Sequence, residues 1–336
     1  MIHLILDTDI GNGIAGANTD DGLALALILA SKEIKLEMIS TVSGNVSNII
    51  AYSVAKHFLK LWNLNIPVYL GANSALKEPM KPWRDRLDNS VKKQNLKSLW
   101  DTIKKPKIMK NIIPNAPLKM GELIMQNPKK ISICAIGPLT NIAIAMRLFK
   151  DFDKNVKEIH IMGGSFDMPS YIKDTNFGFD PEAANIVLNS KAKIVLAPYN
   201  ATMQTLLTHK DLDELENKNE LCNYLIQTLR AWIYYASHTR GTKGTWIHDA
   251  LSVAYMLDES IAEFDEYFVD VVCDSSLVRG LAYRVEKEPK LSLGLNLKEK
   301  RSVKVLKNIN NPKLLELIKT RLLKGICYKN YKNITT

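Results

Sequence analysis

Cysteine is scarce in this chain, and its four cysteines share no close spacing: Cys134, Cys222, Cys273 and Cys327. Disulfide frameworks and cysteine metal sites both need closely grouped cysteines. We therefore expect neither, and we expect a reducing, cytoplasmic environment. Long apolar runs are also absent, because no stretch approaches the ~20 residues that cross a bilayer. The N-terminus has no basic segment followed by an apolar one, so we expect no secretory signal.

Aromatic residues make up only 7% of the chain and are not interleaved with its many lysines. The net charge of +10 would suit a nucleic-acid partner. Most of the excess lies between Lys77 and Lys110 and near the C-terminus. A nucleic-acid groove, however, combines basic side chains with stacking aromatics. We interpret the lysines as a solvated surface and expect neither a nucleic-acid nor a membrane partner.

Strand-like apolar runs alternate with amphipathic helices along most of the chain. The predicted strands are 2–6, 36–42, 68–70, 131–136, 159–162 and 194–197. The predicted helices are 23–30, 47–62, 139–149, 221–237 and two that start at 180 and near 249. This alternation predicts one α/β domain over 1–336, with a mainly parallel (mixed) sheet flanked by helices on both faces. A lysine-rich insert at 72–117 would lie over the ligand-bearing edge, and 324–336 would form a tail.

Four aspartates surround the turn that follows the first predicted strand. Asp7 and Asp9 follow the strand, and Asp20 and Asp21 precede the first helix. Strand and helix would bring them together at the carboxyl end of the sheet, where open α/β folds bind ligands. Closely packed carboxylates repel one another and need a cation, and an all-oxygen cluster suits Ca²⁺ or Mg²⁺. Acids are common at the positive N-terminal end of a helix, which would explain Asp20 and Asp21 but not Asp7 and Asp9.

A glycine pattern between the two acidic pairs supports an alternative. Gly11, Gly13 and Gly16 match the G-x-G-x-x-G of dinucleotide-binding folds, so an NAD-dependent oxidoreductase is a rival interpretation. A pyrophosphate binds bare amides at a positive helix end, whereas four acids bracket this loop. The ribose-binding acid expected at the end of the second strand is missing, because Glu37 falls inside that strand.

Other polar segments also fall at predicted strand ends. His248 and Asp249 precede an apolar helix, and taken alone they would indicate a helix cap beside a surface histidine. The tight turn of 135–141 would leave a strand-end carbonyl facing a cleft. Small residues and amides in 162–164 and 176–184 follow the next strand. We expect all of these segments at one edge of the sheet.

Taken in order, these segments resemble the inosine-uridine-preferring nucleoside hydrolase family. Its N-terminal Asp-x-Asp-x-Gly and Asp-Asp hallmark is matched by Asp7, Asp9, Gly11, Asp20 and Asp21. Its later signatures are matched by 41–45, 135–141, 162–164, 180–184 and 247–249. The resemblance runs from residue 4 to about 323. It implies a nucleoside hydrolase-like fold and Ca²⁺-dependent hydrolysis of the N-glycosidic bond of ribonucleosides, giving free base and ribose.

The resemblance also implies a role for each site residue. The implied Ca²⁺ ligands are Asp9, Asp21, Asp249 and the backbone carbonyl of Ile136. The implied ribose-binding residues are Asp20 and Asn45, with Asn176 and Asp174 at the 5′-hydroxyl. Asp9 would take a proton from the metal-bound water, His248 would protonate the departing base, and Asp7 would support the site from behind. This agrees with the chemistry, because N-ribosidic cleavage develops positive charge on the sugar and negative charge on the base.

The chain departs from the family pattern in three places. The family usually has few residues between its first acids and its Asp-Asp pair, whereas 10–19 intervene here; glycines could let them loop out. Asp174 stands where many members have the longer glutamate. A His-Gly segment common after the third strand is absent from 72–117, which bears on the base accepted. A non-catalytic Ca²⁺- or ribose-binding relative is therefore a second alternative.

Residues 232–246 are the candidates for base recognition. A helix that presents aromatics and arginine beside a cleft could stack on a heterocycle and bond to it. Within it, Trp232 and Tyr235 are predicted to be core, and Arg240 is the better candidate for the base. The further aromatic and polar side chains of the stretch are Tyr234, His238 and Trp246. The family's members are commonly dimers or tetramers, so we expect a homo-oligomer.

Overall fold

The computed structural model describes residues 1–79, 81–170, 173–290 and 301–331. Its strands are β1 (Ile2–Thr8), β2 (Ile34–Thr41), β3 (Val68–Leu70), β4 (Ile131–Ala135), β5 (Ile159–Met162), β6 (Ile194–Ala197), β7 (Ala262–Val271), β8 (Ala282–Glu286) and β9 (Val303–Ile309). Its helices are α1 (Asp20–Leu29), α2 (Asn48–Leu61), α3 (Lys81–Lys93), α4 (Ala116–Gln126), α5 (Thr140–Leu148), α6 (Phe152–Asn155), α7 (Thr175–Phe179), α8 (Pro181–Leu188), α9 (Tyr199–Thr202), α10 (His209–Asp213), α11 (Glu220–Arg240), α12 (Asp249–Leu257) and α13 (Asn311–Lys324). Short 3₁₀ helices span Lys97–Trp100, Glu259–Ile261 and Tyr328–Asn330.

The described strands form one mixed sheet in the order β3-β2-β1-β4-β5-β6-β9-β7-β8. Every pairing from β3 to β9 is parallel, and β7 runs antiparallel to both β9 and β8. The predicted α/β fold with a mainly parallel sheet is confirmed. The chain runs outwards from β1 to β3 on one side and from β4 to β6 on the other. The strand order therefore reverses between β1 and β4, the kind of position at which open α/β sheets bind ligands.

Both faces of the sheet are buried, which explains the near-continuous apolar strands. In β1, Leu4 and Leu6 join one hydrophobic core, while Ile5 points to the other. The first core also contains apolar residues of α1, α2, α11, α12 and α13, and the second contains those of α4, α5 and α8. Period-two alternation within a strand thus supplies two separate cores.

Most predicted elements occur, with shifted ends. α1 begins at Asp20 rather than residue 23, so the acidic pair forms its first turn. Strands β7 to β9 and helix α13 have no counterpart among the predicted elements. β7 and β8 carry partly exposed residues at the antiparallel edge, so their sequences lack the apolar runs of the central strands.

The predicted insert and tail both pack on this sheet-and-helix body. In the insert, Trp100 contacts Tyr235 of α11 edge-to-face at 5.6 Å between ring centroids. After α13, Cys327 donates its backbone N–H to the carbonyl of Leu29 at 2.8 Å. Residues 332–336 of the predicted tail lie outside the described residues. Within the described part of the chain, no helix combines the length and apolar character that a membrane span requires.

Candidate active site

A cavity of about 420 Å³ opens at the carboxyl ends of the central strands. It lies where the strand order reverses, since segments following β1, β2, β4 and β5 all reach it. Most of the predicted site residues line it: Asp9, Asp21, Asn45, Ile136, Asp174, Asn176, Arg240, His248 and Asp249. The tertiary fold therefore gathers side chains from both ends of the chain around one space.

Buried carboxylates crowd one wall of the cavity. One carboxylate oxygen from each of Asp20, Asp21 and Asp249 lies within 4.8 Å of the other two. Burial raises the pKa of Asp9 to about 6. Burial also raises the pKa values of Asp21 and Asp249 well above the ordinary range, and the neighbouring acids, Asp9 among them, raise them further. A cation among these oxygens would relieve both the desolvation and the repulsion, so the group suits a metal ion.

Asp20 joins the first helix to α12 at this cluster. Its Oδ2 accepts the backbone N–H groups of His248 and Asp249, at 3.0 and 3.1 Å. Its Oδ1 is buried and has no hydrogen-bond donor among the described residues. An orphaned carboxylate oxygen beside other buried acids is a position that a cation would satisfy. Asp20, predicted to bind ribose, thus lies near enough to the other acids to share an ion with them.

Backbone contacts position Asp9 and the carbonyl of Ile136. Asp9 Oδ2 accepts the backbone N–H of Asn45 at 2.6 Å. A Cβ at Gly44 would collide with that oxygen, so only glycine leaves room for the carboxylate. The carbonyl of Ile136 accepts a hydrogen bond from the side-chain amide of Asn176 at 3.1 Å. Both predicted ligand groups are therefore held by neighbours at strand ends.

Asp7 lies behind the cavity, inside the sheet. Its Oδ1 accepts the side-chain amide of Asn141 at 2.8 Å and the hydroxyl of Ser40. Burial raises the pKa of Asp7 to about 7 despite these bonds. The carboxyl group thus links β1, β2 and the start of α5 beneath the cavity-lining acids.

Asn12 forms the hydrogen bonds that hold residues 10–19, the segment inserted relative to the family pattern, against the helices. Its side-chain amide donates to the Thr19 carbonyl at 3.0 Å and to the Thr228 hydroxyl at 3.1 Å. Its Oδ1 accepts the backbone N–H of Gly22 at 3.1 Å. These bonds attach the loop to α1 and α11, so the inserted residues loop out while the acidic pair still reaches the cluster.

The backbone conformation and close packing of this loop require its glycines. Gly13 and Gly16 have φ values of +81° and +79°, which side chains rarely adopt. A Cβ at Gly11 would lie 2.5 Å from the Cβ of Ala17. The following helix begins only at Asp20, with two acids in its first turn. The loop therefore offers no bare helix N-terminus for a pyrophosphate, and the NAD-dependent alternative is not favoured.

Asn45 lines the cavity while its amide group binds the inserted loop. Its Oδ1 accepts the backbone N–H of Asn18, and its Nδ2 donates to the Asn18 carbonyl, both at 3.0 Å. Asn18 also lines the cavity. The residue predicted to bind ribose is thus held in place by the segment that departs from the family pattern.

Asp174 caps the short helix α7. Its Oδ1 accepts the N–H of Gly164 at 2.8 Å, and its Oδ2 accepts those of Asn176 and Phe177 at 2.8 and 3.3 Å. Burial nevertheless raises its pKa to about 6. The side-chain amide of Asn176 donates to the carbonyl of Met162 at 3.0 Å, besides that of Ile136. Both residues predicted at the 5′-hydroxyl therefore have structural partners already.

His248 is buried at the side of the cavity. Its Nδ1 lies 2.7 Å from the hydroxyl oxygen of Thr202. Its ring stacks on Tyr199, with centroids 5.2 Å apart and planes inclined by 16°. Burial lowers the pKa of His248, and the charge of Arg240 lowers it further, while Asp20 opposes them. The imidazole is therefore held in one orientation and favours its neutral form.

The end of α11 supplies Arg240, whose guanidinium carbon lies 5.1 Å from the ring centroid of Trp232. Trp232 and Tyr235 are buried, as predicted for core residues, and Tyr234 is 56% exposed. Four cavity-lining residues are absent from the sequence-based prediction: Asn18, Lys173, Thr175 and Tyr199. Tyr199 follows β6, so the strand-end argument applied to that strand could have found it. Asn18, Lys173 and Thr175 lie in loops or at the start of a short helix. None of them directly follows an apolar strand, so no local pattern marks them.

Known proteins match this chain along most of its length. The model of the family described as inosine-uridine preferring nucleoside hydrolase matches residues 4–316. Probable uridine nucleosidase 2 of Arabidopsis thaliana is 29% identical over 327 residues, covering 96% of this chain and 98% of that protein. The non-specific ribonucleoside hydrolase RihC of Salmonella typhimurium is 28% identical over 281 residues, covering 83% and 86%.

Solved structures share the fold. The plant nucleoside hydrolase PpNRh1 superposes with a TM-score of 0.81 at 26% identity, covering 96% of this chain and 99% of that one. A purine-preferring ribonucleoside hydrolase from Gardnerella vaginalis superposes with a TM-score of 0.77 at 23% identity, covering 96% and 98%. The second likeness concerns the fold alone.

Proposed function

The chain belongs to the inosine-uridine preferring nucleoside hydrolase family and is an N-ribosyl hydrolase, and from this premise we propose a calcium-dependent reaction on free ribonucleosides. Water would replace the base at C1′, giving free base and ribose. The observation that carries the proposal is the buried group of Asp20, Asp21 and Asp249, which each bring one carboxylate oxygen within 4.8 Å of the others. Acids so close and so deeply buried need a cation to remain ionised.

The residues present fit a calcium ion. Asp9, Asp21, Asp249 and the carbonyl of Ile136 would hold it, and Asp20, whose Oδ1 has no hydrogen-bond donor among the described residues, belongs to the same acidic group. These donors are all oxygens, which favours a hard ion. Carboxylates combined with a backbone carbonyl and substrate hydroxyls suit the larger, more flexible shell of Ca²⁺, whereas Mg²⁺ usually keeps several waters. When bound, the ion supplies charge that makes the attacking water a stronger acid.

Asp9 would act as the general base. Its Oδ2 is fixed by the N–H of Asn45, which leaves Oδ1 as the oxygen to receive a proton from the attacking water. Burial raises the pKa of Asp9, which makes the carboxylate a stronger proton acceptor, and a bound cation would oppose this rise. The surrounding carboxylates would also stabilise the positive charge that develops on the ribose.

His248 would protonate the departing base. The Thr202 hydroxyl donates to the carbonyl of Tyr199 at 3.2 Å, so its oxygen would accept Nδ1–H of His248, 2.7 Å away, and the protonated ring would present Nε2–H to the base. Stacking on Tyr199 holds the ring at the cavity side. Arg240 would contact the base from the same side, and Asn45, Asp20, Asp174 and Asn176 would surround the ribose. Thr202 acts here as a positioning residue.

Incubation of the protein with uridine, cytidine, inosine and adenosine tests this function. We expect free ribose from at least one of them, loss of turnover on calcium chelation, and recovery with Ca²⁺ rather than NAD. Absence of ribose with the whole panel in the presence of Ca²⁺ would support the non-catalytic, ribose-binding alternative. Turnover that is unaffected by chelation would contradict the metal assignment.

The resemblance to the family also bears on the cellular setting of the protein. We infer a role in cytoplasmic nucleoside salvage, carried out by a homo-oligomer, either dimer or tetramer. Sedimentation of the purified chain tests the assembly, and a monomer at micromolar concentration would contradict it.

A further inference from the structure

A narrow recess adjoins the main cavity beside His248. The two spaces share four lining residues: Asn18, Trp232, Arg240 and His248. The recess has a volume of about 10 Å³, and most of its remaining wall comes from the segment 242–246, directly before His248. A space of this size holds roughly one water molecule or one exocyclic atom of a ring. The recess therefore suits a group at the edge of a base rather than a whole ring.

The hydroxyl of Thr242 lines this recess without a partner. Its Oγ1 is buried, and no group in the described part of the chain bonds to it. The hydroxyl of Thr245, in the same segment, is already engaged: it accepts Nε1–H of Trp232 at 3.0 Å and donates to the Trp246 carbonyl at 3.3 Å. A buried hydroxyl without a partner is unfavourable unless water or a ligand completes its bonding. Thr242 thus marks the recess as a place for a polar group.

Asn18 supplies a fixed hydrogen-bond donor where the recess meets the main cavity. Its Oδ1 accepts the backbone N–H of Thr19 at 2.7 Å, which leaves Nδ2 to face other groups. The side-chain amide of Asn45 holds both the backbone N–H and the carbonyl of Asn18, at 3.0 Å each. Among the residues that the structure describes, none accepts a hydrogen bond from Nδ2 of Asn18. The inserted loop thereby presents one immobilised N–H donor to the substrate.

The wall common to both spaces favours an acceptor on the base. Arg240 lies on this wall and carries only donors. A base placed for protonation by His248 would lie against the same wall, with an exocyclic group at its edge facing the recess. A carbonyl oxygen there would accept from Asn18, whereas an amino group would meet a second donor. Polar groups left unpaired in this way discriminate between substrates more strongly than small differences in shape.

We propose that Asn18 and Thr242 form a base-reading subsite, in which a carbonyl oxygen of the base accepts hydrogen bonds from the Asn18 amide and the Thr242 hydroxyl. This inference rests on the proposed function, because it takes His248 as the acid that protonates the leaving base. The hydrolysis is unchanged: water adds to C1′, the N-glycosidic bond breaks, and the base leaves with a proton. Asn18 is then a specificity-determining residue supplied by the inserted loop.

Two nucleoside pairs test the subsite, since each contrasts a carbonyl with an amino group: uridine with cytidine, and inosine with adenosine. The decisive quantity is the ratio of kcat/KM within a pair, compared between variant and wild type so that the intrinsic reactivity of the bases cancels. Asn18→Ala should lower the ratio of carbonyl to amino substrate about tenfold, because one hydrogen bond is lost. Asn18→Asp, which keeps an acceptor for Thr19 but cannot donate, should lower it at least as far. Thr242→Val should lower it a few-fold.

Asn189→Ala, at an exposed asparagine that caps the end of α8, is the matched control and should leave both ratios unchanged. Ratios that neither Asn18 variant alters overturn the subsite; an equal loss on all four nucleosides would place Asn18 at the ribose instead. A wild-type protein that favours the amino member of both pairs also contradicts it. If the wild-type protein with Ca²⁺ cleaves none of the four, the proposed function fails and the subsite fails with it. Failure of the function therefore shows in the wild type, and failure of the subsite alone shows in the ratios.

Discussion

The acidic wall of the cavity and its rim are built in different ways. The acidic wall consists of the buried carboxylates of Asp9, Asp20, Asp21 and Asp249, of which Asp20 and Asp249 are only 1% and 5% exposed. Backbone N–H groups fix Asp9 and Asp20. The rim consists of Lys173, Thr175 and Arg240, all exposed side chains on a loop, a short helix and the last residue of α11. The carboxylates of the acidic wall thus lie on rigid strand ends and helix starts, which hold one geometry. The rim side chains lie where residues can vary, as is usual for groups that select a substrate.

Removal of Asp9, the proposed general base, should have the largest effect. We expect Asp9→Ala to lower kcat/KM by at least ~10³-fold, because it removes both a proton acceptor and a metal ligand. Ribose release and calcium titration provide the measurements. Asp101→Asn, at an exposed aspartate in the insert, is the matched control and should behave as wild type. An Asp9→Ala protein that remains active would remove Asp9 from the mechanism.

His248→Ala should affect substrates according to their leaving groups. We expect a loss of ~10²-fold for natural nucleosides, typical of a missing general acid, and a much smaller loss for a nitrophenyl riboside, whose leaving group needs no proton. Steady-state kinetics with both substrates decide the matter. Equal losses on the two would contradict the acid role.

Calcium should stabilise the fold, and more strongly at higher pH. Burial raises the pKa of Asp9 from 3.8 to about 6, so the metal-free protein loses stability as pH rises between these two values. Ca²⁺ at a hundred times its Kd should add about 2.7 kcal/mol. Thermal unfolding at pH 5 and pH 8, with and without Ca²⁺, measures this. A calcium-induced rise in unfolding temperature that is larger at pH 5 than at pH 8 would refute the assignment of these acids as calcium ligands.

The inserted loop connects the acidic wall with the rest of the molecule, and Asn12→Ala tests that connection. Loss of its three buried hydrogen bonds should cost about 1–3 kcal/mol of unfolding free energy. Activity should fall as well, because Asp20 and Asp21 follow the loop. Denaturant titration is the measurement, with Gln126→Ala at an exposed helix end as control. Unchanged stability would show that the loop is not needed to position α1.

Arg240→Met should have the smallest effect and the most selective one. We expect a few-fold change in relative kcat/KM among bases, as for a single exposed cation, with little loss of overall rate. Because the charge of Arg240 adds to burial in lowering the pKa of His248, its removal should also move that pKa upwards. The kcat pH profile reports this shift, and Arg147→Met on α5 is the control. An unaltered base preference would exclude Arg240 from base contact.

Much of the acidic wall was predictable because its residues follow strong local patterns. Asp7 and Asp9 directly follow an apolar run, and strand ends of a parallel sheet meet at one edge. The role of Asn12 was not predictable, since its partners Thr19, Gly22 and Thr228 belong to two helices and a loop. The capping by Asp174 was likewise hidden, because one of its donors, the N–H of Gly164, lies in a separate turn.

The sequence by itself determined the α/β architecture and the cluster of acids at one sheet edge, because apolar periodicity and strand-end position act locally. Only the tertiary structure decided which acid oxygens stay unpartnered, how residues 10–19 are absorbed, and that Lys173 reaches the cavity. Those properties depend on contacts between segments far apart in the chain, and no local pattern records such contacts.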